Sequence, residues 1–261
     1  MRKLSNYQYI FTEIDDAVGK IILNRPEVLN ALNRPMITEL VNALETFNKN
    51  ENIKVILLTA NGRSFAAGAD IKEMKEDDPI YLEKLDQFAE WDRMSLIKKP
   101  IIAAVQGYAV GGGFELVLSC DIVFAAENAK FGFPEVNLGV MPGAGGTVKL
   151  TKTIGPRKAL EWLWTGEYFD AKKAYEYGLV NRVLPVEVLF DEAMAFAKKV
   201  ATQPPLSIRL IKDTVTKAVD LSIYESMQYE RKNFYLLFAT DDQKEGMQAF
   251  VEKRQPIFKG K

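Results

Sequence analysis

An alternation of short apolar runs with amphipathic stretches constrains this chain more than any other feature. It occupies the first two-thirds of the sequence, and helical periodicity alone replaces it in the last quarter. Val18–Leu23 reads as a strand stopped by Asn24-Arg25-Pro26. Met36, Ile37, Leu40, Val41, Leu44 and Phe47 then recur along one face of a helix. Pro35 stands near its start, where a missing N–H costs little. Residues 54–60 (KVILLTA) are a buried strand ended by Asn61-Gly62. Ile101–Val105 and Ile122–Ala126 are further strands, residues 129–133 a short third, and residues 179–184 hold one more. Residues 75–79 (KEDDP) read as a mobile loop.

Three helical stripes finish the chain. They are Leu206/Leu210/Ile211/Val215, Ile223/Met227/Phe234/Phe238 and Met247/Phe250/Val251, the first set off by Pro204-Pro205. Their apolar periodicity predicts a packing cap or a subunit contact. The pattern as a whole predicts an α/β fold, with a core over residues 1–200 and a helical region over residues 201–261.

Composition mainly excludes. There is no histidine, which removes Ser-His-Asp and Cys-His machinery, His-ligated zinc and imidazole acid–base chemistry. Proton transfer must fall to Glu, Asp, Lys, Tyr or the lone thiol of Cys120. A single cysteine permits no intramolecular disulfide and suits a reducing compartment. The net charge of -1 gives no global attraction for nucleic acid or an anionic membrane. No apolar run reaches the roughly 20 residues that span a bilayer. The opening MRKLSNYQYI holds no stretch of signal-peptide length, and the nearby Glu13, Asp15 and Asp16 are unlike a mitochondrial presequence. A cytoplasmic location is the expectation.

Chemistry concentrates where glycines adjoin carboxylates. In residues 62–74 (GRSFAAGADIKEM), Asp70 followed by Glu73 approximates a capping box. A helix starting just after Ala69 would expose free backbone amides, though an ordinary capped helix explains the same letters. In residues 105–120 (VQGYAVGGGFELVLSC), a strand runs into Gly111-Gly112-Gly113 and places Glu115 in the first turn of a helix. Such a junction suits an anion or an oxyanion. Glycines also permit tight packing, and an acid is favourable in a first turn in any case. Yet Phe114, Leu116, Val117 and Leu118 surround Glu115, and an acid so placed is paired or functional. In residues 129–147 (AKFGFPEVNLGVMPGAGGT), Glu135 lies among Phe133, Pro134, Val136 and Leu138, ahead of a glycine cluster. That cluster lacks the Gly-Lys-Ser/Thr ending of a P-loop and the spacing of a dinucleotide fingerprint.

FAAGADIKEM, GYAVGGGFEL and FGFPEVNLGVMPGAGGT, in this order, resemble the motif blocks of the crotonase, or enoyl-CoA hydratase/isomerase, family. The resemblance runs from about Val18 to the terminal FKGK. It implies a crotonase-like spiral of stacked strand–strand–helix units with a C-terminal helical region. It implies an oxyanion hole from the Ala69 and Gly112 amides, and two catalytic glutamates, Glu115 and Glu135, twenty residues apart. By the same resemblance the Gly143 amide helps hold water, and Ala67, Asp70, Ile71 and Lys72 fall where coenzyme A is contacted.

The reaction so implied is addition of water to a 2-enoyl-CoA, with Glu115 as the water-activating base and Glu135 as the acid at the α-carbon. It needs no metal and no cofactor, since coenzyme A arrives within the substrate. Isomerisation, thioester hydrolysis and decarboxylation are rival activities of the family. As the family is known, one carboxylate suffices for an isomerase, and acids at both positions favour hydration. A non-catalytic RNA-binding or scaffold protein would need a concentrated basic and aromatic surface or a lost glutamate. The densest basic group is only Lys149, Lys152, Arg157 and Lys158. Relatives assemble as trimers or pairs of trimers, so a homotrimer or dimer of trimers is expected. Phe114 and Phe133 would restrict the acyl group if either entered the pocket, and residues 80–94 are expected to line it.

Overall fold

The structure, a computed structural model, describes residues 2–3 and 7–261. The chain begins with β1 (Arg2–Lys3), β2 (Ile10–Asp15), β3 (Val18–Leu23), α1 (Arg34–Lys49) and β4 (Val55–Ala60). Next come α2 (Ile71–Met74), α3 (Pro79–Leu85), α4 (Ala89–Ser95), β5 (Ile101–Val105), β6 (Tyr108–Val110) and α5 (Gly112–Val117). Then follow β7 (Ile122–Ala126), β8 (Lys130–Gly132), α6 (Gly146–Ile154), α7 (Pro156–Thr165), β9 (Phe169–Asp170), α8 (Ala171–Glu176) and β10 (Arg182–Leu184). Helices α9 (Val186–Ala201), α10 (Pro205–Ala218), α11 (Ile223–Leu237) and α12 (Asp241–Glu252) complete it.

A seven-stranded sheet runs β1-β2-β3-β4-β5-β7-β10, and β6-β8-β9 form a smaller one. Along the large sheet β1, β2 and β3 pair antiparallel and the pairings from β3 through β4, β5 and β7 to β10 are parallel, while in the small sheet β6–β8 is parallel and β8–β9 antiparallel. The chain steps between the sheets. From β5 it crosses to β6, returns through α5 to β7, and crosses again to β8. One turn earlier Ala66 makes a parallel bridge to Ala109 in β6, and Leu32 makes one to Ala69. Each turn thus contributes a strand, a shorter extended segment and a helix, which is the expected spiral.

The large sheet is buried on both faces, so its central strands are continuous apolar runs. Alternate residues go to opposite cores. Ile56 and Leu58 of β4 join α1 and Phe114 of α5, whereas Val55 and Leu57 lie under α9 with Leu189, Ala193 and Ala197. Helix α1 presents its predicted stripe inward, with Met36, Leu40, Val41 and Leu44 each 0% exposed. Asn33 caps it by accepting the Met36 N–H at 3.1 Å.

Three strands were not expected from sequence, β1, β2 and β9, whereas the strand expected to run into Gly111 is the short β6. Residues 75–79 are not a free loop. Asp77 pairs with Arg34, and Asp78 accepts from the Ile80 and Tyr81 amides to start α3. The terminal stripes do not pack inward on this chain. Neither α10 nor α11 buries a residue, and Ile211, Phe234, Phe250 and Val251 are exposed. Among the described residues no helix is long and apolar enough to cross a membrane.

Candidate active site

The site is assembled where the spiral's small sheet ends. After β6 the chain turns at Gly111 with φ 54° and ψ −130°, a conformation that favours glycine. A Cβ there would also stand 2.9 Å from Glu135 Oε1. The turn is held by the Gly111 N–H, which donates to Gly132 O of β8 at 2.9 Å. Helix α5 starts at once and carries Glu115 in its first turn, 4% exposed. Glu135 arrives from β8 through a 3-10 turn, Pro134–Leu138, which is closed by the Val140 N–H donating to Glu135 O.

Backbone holds Glu115 from the far side. Its Oε1 accepts the Ala144 N–H at 2.7 Å and the Gly146 N–H at 2.8 Å. Its Oε2 is 4.0 Å from the position a Cβ would take on Gly112. Burial raises the Glu115 pKa, while the Gly146 and Ala144 amides and the Lys149 charge oppose that rise. Glu135 has less help. Its Oε2 is buried without a hydrogen-bond partner among the described residues. Burial, with the charge of Glu115 adding to it, pushes the carboxyl up to about 7.

The two predicted oxyanion donors are neighbours. The Cβ position on Gly112 lies 3.7 Å from the Ala69 nitrogen, so glycine keeps the space beside that amide open. Among the described residues neither the Ala69 nor the Gly112 N–H finds an acceptor, although several amides around them do. Ala67 donates to Leu29 O, Asp70 to Leu32 O, and Phe114 and Glu115 to Gly111 O. These two amides, beside a buried and a half-buried carboxyl, are suited to a carbonyl oxygen that gains charge.

Several expectations need correction. The Asp70–Glu73 capping box does not form. Asp70 instead pairs with Arg25 at 3.0 Å, and Glu73 accepts the Arg34 N–H at 2.8 Å. Helix α2 has only four residues. Phe114 and Phe133 do not enter a pocket. Both are 0% exposed, with ring centroids 4.9 Å apart, and they form an aromatic wall with Phe131 and Trp162 behind Glu115. Lys149 is not simply part of a surface group, since it is half-buried and donates to Ser119 Oγ at 2.6 Å.

Of the expected coenzyme A contacts, the Ala67 amide is spent on Leu29 and Asp70 is engaged by Arg25, while Ile71 and Lys72 are exposed beside the site. Gly143 immediately precedes the Ala144 donor, and a Cβ on it would meet the Phe88 ring at 2.5 Å. Phe88, from the turn before α4, therefore reaches the site and falls inside the stretch expected to line it. Ala144, Gly146, Lys149 and Ser119 escaped the sequence reading. The Gly143-Ala144-Gly145-Gly146 run was the available signal for the first two. Among the described residues no group of three acidic or cysteine side chains is placed to hold a metal.

Comparison with known proteins agrees with this geometry. The enoyl-CoA hydratase/isomerase family matches residues 13–261. The mitochondrial enoyl-CoA hydratase of Pongo abelii is 45% identical over 260 residues, covering 98% of this chain and 89% of its own. A probable enoyl-CoA hydratase of Mycobacterium tuberculosis is 44% identical over 252 residues, covering 97% and 98%. A crystal structure of an enoyl-CoA hydratase subunit I from Geobacillus kaustophilus HTA426 superposes with a TM-score of 0.97 at 62% identity, covering 98% of this chain and all of its own. With spiral fold, paired acids and near-complete coverage in agreement, the chain belongs to the enoyl-CoA hydratase/isomerase, or crotonase, family.

Proposed function

We propose that this protein is an enoyl-CoA hydratase, adding water reversibly across the 2,3-double bond of a 2-enoyl-CoA to give the 3-hydroxyacyl-CoA. The observation that carries this reading is the contrast between two acids at one glycine turn. Glu115 is held by two amides, whereas Glu135 keeps a buried, unpartnered oxygen and titrates at about 7. Ionised Glu115 takes a proton from water as its oxygen attacks C3. The electron pair moves through C2 to the thioester oxygen, which the Ala69 and Gly112 amides hold. Glu135 in its acid form delivers a proton to C2. Proton exchange with solvent then resets both carboxyls. Removing one oxyanion donor typically costs about 3–4 kcal/mol of barrier.

The coenzyme A portion passes over the surface formed by Ala67, Asp70, Ile71 and Lys72, with the Gly143 amide beside the attacking water. No resident cofactor or metal enters the scheme. The exposed apolar stripes on α10 to α12 support assembly into a homotrimer or a dimer of trimers, with residues 201–261 as the assembling region. Bacterial relatives support a cytoplasmic location, and a role in β-oxidation suits the chemistry.

The test is loss of the conjugated enoyl-thioester absorbance of crotonyl-CoA by wild type, Glu115→Gln and Glu135→Gln. Rapid loss in wild type and collapse in both variants is expected. A wild type inert toward crotonyl, longer and branched enoyl-CoAs would overturn hydration and leave isomerase, hydrolase or decarboxylase chemistry for the same oxyanion hole.

A further inference from the structure

Lys149 is a half-buried ammonium that the scheme above leaves without a task. Burial lowers its pKa, so the fold bears a cost to keep its charge there. Its stem lies against the turn that feeds α6. A Cβ on Gly145 would stand 3.2 Å from Lys149 Cε and 3.7 Å from Nζ. Gly145 separates Ala144 from Gly146, the two residues whose amides hold Glu115. The ammonium donates to Ser119 Oγ at 2.6 Å, and that hydroxyl donates to the backbone oxygen of Glu115 at 2.7 Å. The side chain therefore touches both the turn that binds the carboxylate and the helix that carries it.

We propose that Lys149 is a positioning residue for hydration, locking the Ala144–Gly146 turn against α5 and keeping a positive charge beside the Glu115 carboxylate. This inference rests on the hydratase reading. The charged and titratable groups around the pair come from four places. Lys149 itself acts on Glu115 from α6, and Glu135 opposes it from the 3-10 turn. Cys120, just after α5, and Asp92, on α4, face the ammonium. The Cys120 thiol is pushed up to about 12 by burial and stays neutral, so Glu115 and Asp92 are the anions it meets. Lys149 is the one cation among these groups, and its loss leaves Glu115 with amide support alone.

The decisive experiment is a carboxyl-carbon NMR titration of glutamate-labelled protein, with Glu115 assigned by its absence in Glu115→Gln. In Lys149→Met the Glu115 midpoint rises by about one unit, and in Lys149→Arg it stays near wild type. Correspondingly, kcat/KM of Lys149→Met falls about tenfold at acidic pH, and its ratio to wild type climbs as pH increases. A purely structural brace would lower activity by the same factor at every pH. Should Lys149→Met fail to fold, Ser119→Ala retains the charge but frees it, and a smaller rise in the same midpoint is expected. An unmoved Glu115 midpoint in the folded variant overturns the proposal. If wild type hydrates nothing, the hydratase reading falls while the titration still decides the role of Lys149.

Discussion

Glu115 and Glu135 meet at one glycine turn from opposite kinds of backbone. Glu115 sits in a regular helix against a wall of Phe114, Phe133 and Trp162, and backbone amides occupy one of its oxygens. Glu135 sits on a 3-10 turn near the surface, and one of its oxygens has no partner. Burial raises both carboxyls; two amides from the facing turn and a lysine oppose the rise at Glu115, and only its own backbone amide does so at Glu135. In the proposed mechanism environment thus divides two identical side chains into a base and an acid, because amides favour an anion and desolvation favours a proton. The negative charge of Glu115 adds to the pull that keeps a proton on Glu135.

The largest effect expected is from removing either member. Glu115→Gln and Glu135→Gln each lower kcat by about 10²–10⁴-fold with little change in KM, read from steady-state rates. Equal losses would sharpen the pairing, and a dispensable Glu115 would break it. Next comes the oxyanion site. Gly112→Ala places a methyl 3.7 Å from the Ala69 nitrogen, an ordinary contact that the fold tolerates. It nevertheless intrudes where the carbonyl must sit, so kcat drops about 10²–10³-fold at an almost unchanged melting temperature.

A smaller effect concerns stability. The Glu135 carboxyl is raised to about 7 in the folded protein, above its unfolded value. The folded state therefore binds more protons between those values, and stability falls as pH rises through that window. Glu135→Gln removes the penalty, stabilising the protein by about 1–3 kcal/mol above neutral pH and by almost nothing in acid. Melting curves at both pH values check this, and equal gains at both would contradict the assignment. The smallest effect is at Phe88. Phe88→Ala uncovers Gly143 and changes the preference between short and long enoyl-CoAs by about tenfold or less.

Legibility in the sequence followed burial. Strands β4, β5 and β7 (VILLTA, IIAAV, IVFAA) are covered on both faces, so they stand out as apolar runs. Strand β2 (IFTEID) lies in the antiparallel end of the sheet with polar Thr12 buried and Phe11 half-buried, and its pattern does not announce a strand. The paired glutamates could be found because acids among apolar residues and glycines are rare. Their partners could not. Asp70 and Glu73 have the spacing of a cap, and nothing local shows that Arg25 and Arg34 arrive from 45 and 39 residues away. Lys149 resembles any charge on an amphipathic helix until α5 is placed beside it. Local chemistry is written locally, whereas pairing across the spiral depends on the assembled fold.

The division of labour between the two acids is tested most directly by hydrogen exchange at the α-carbon. Butyryl-CoA, which has no double bond to hydrate, is incubated in D₂O with wild type, Glu115→Gln and Glu135→Gln, and deuterium at C2 is followed by NMR. Exchange is expected from wild type, retained exchange from Glu115→Gln, and loss of exchange from Glu135→Gln. Exchange that survives in Glu135→Gln but disappears in Glu115→Gln would contradict it and reverse the two roles.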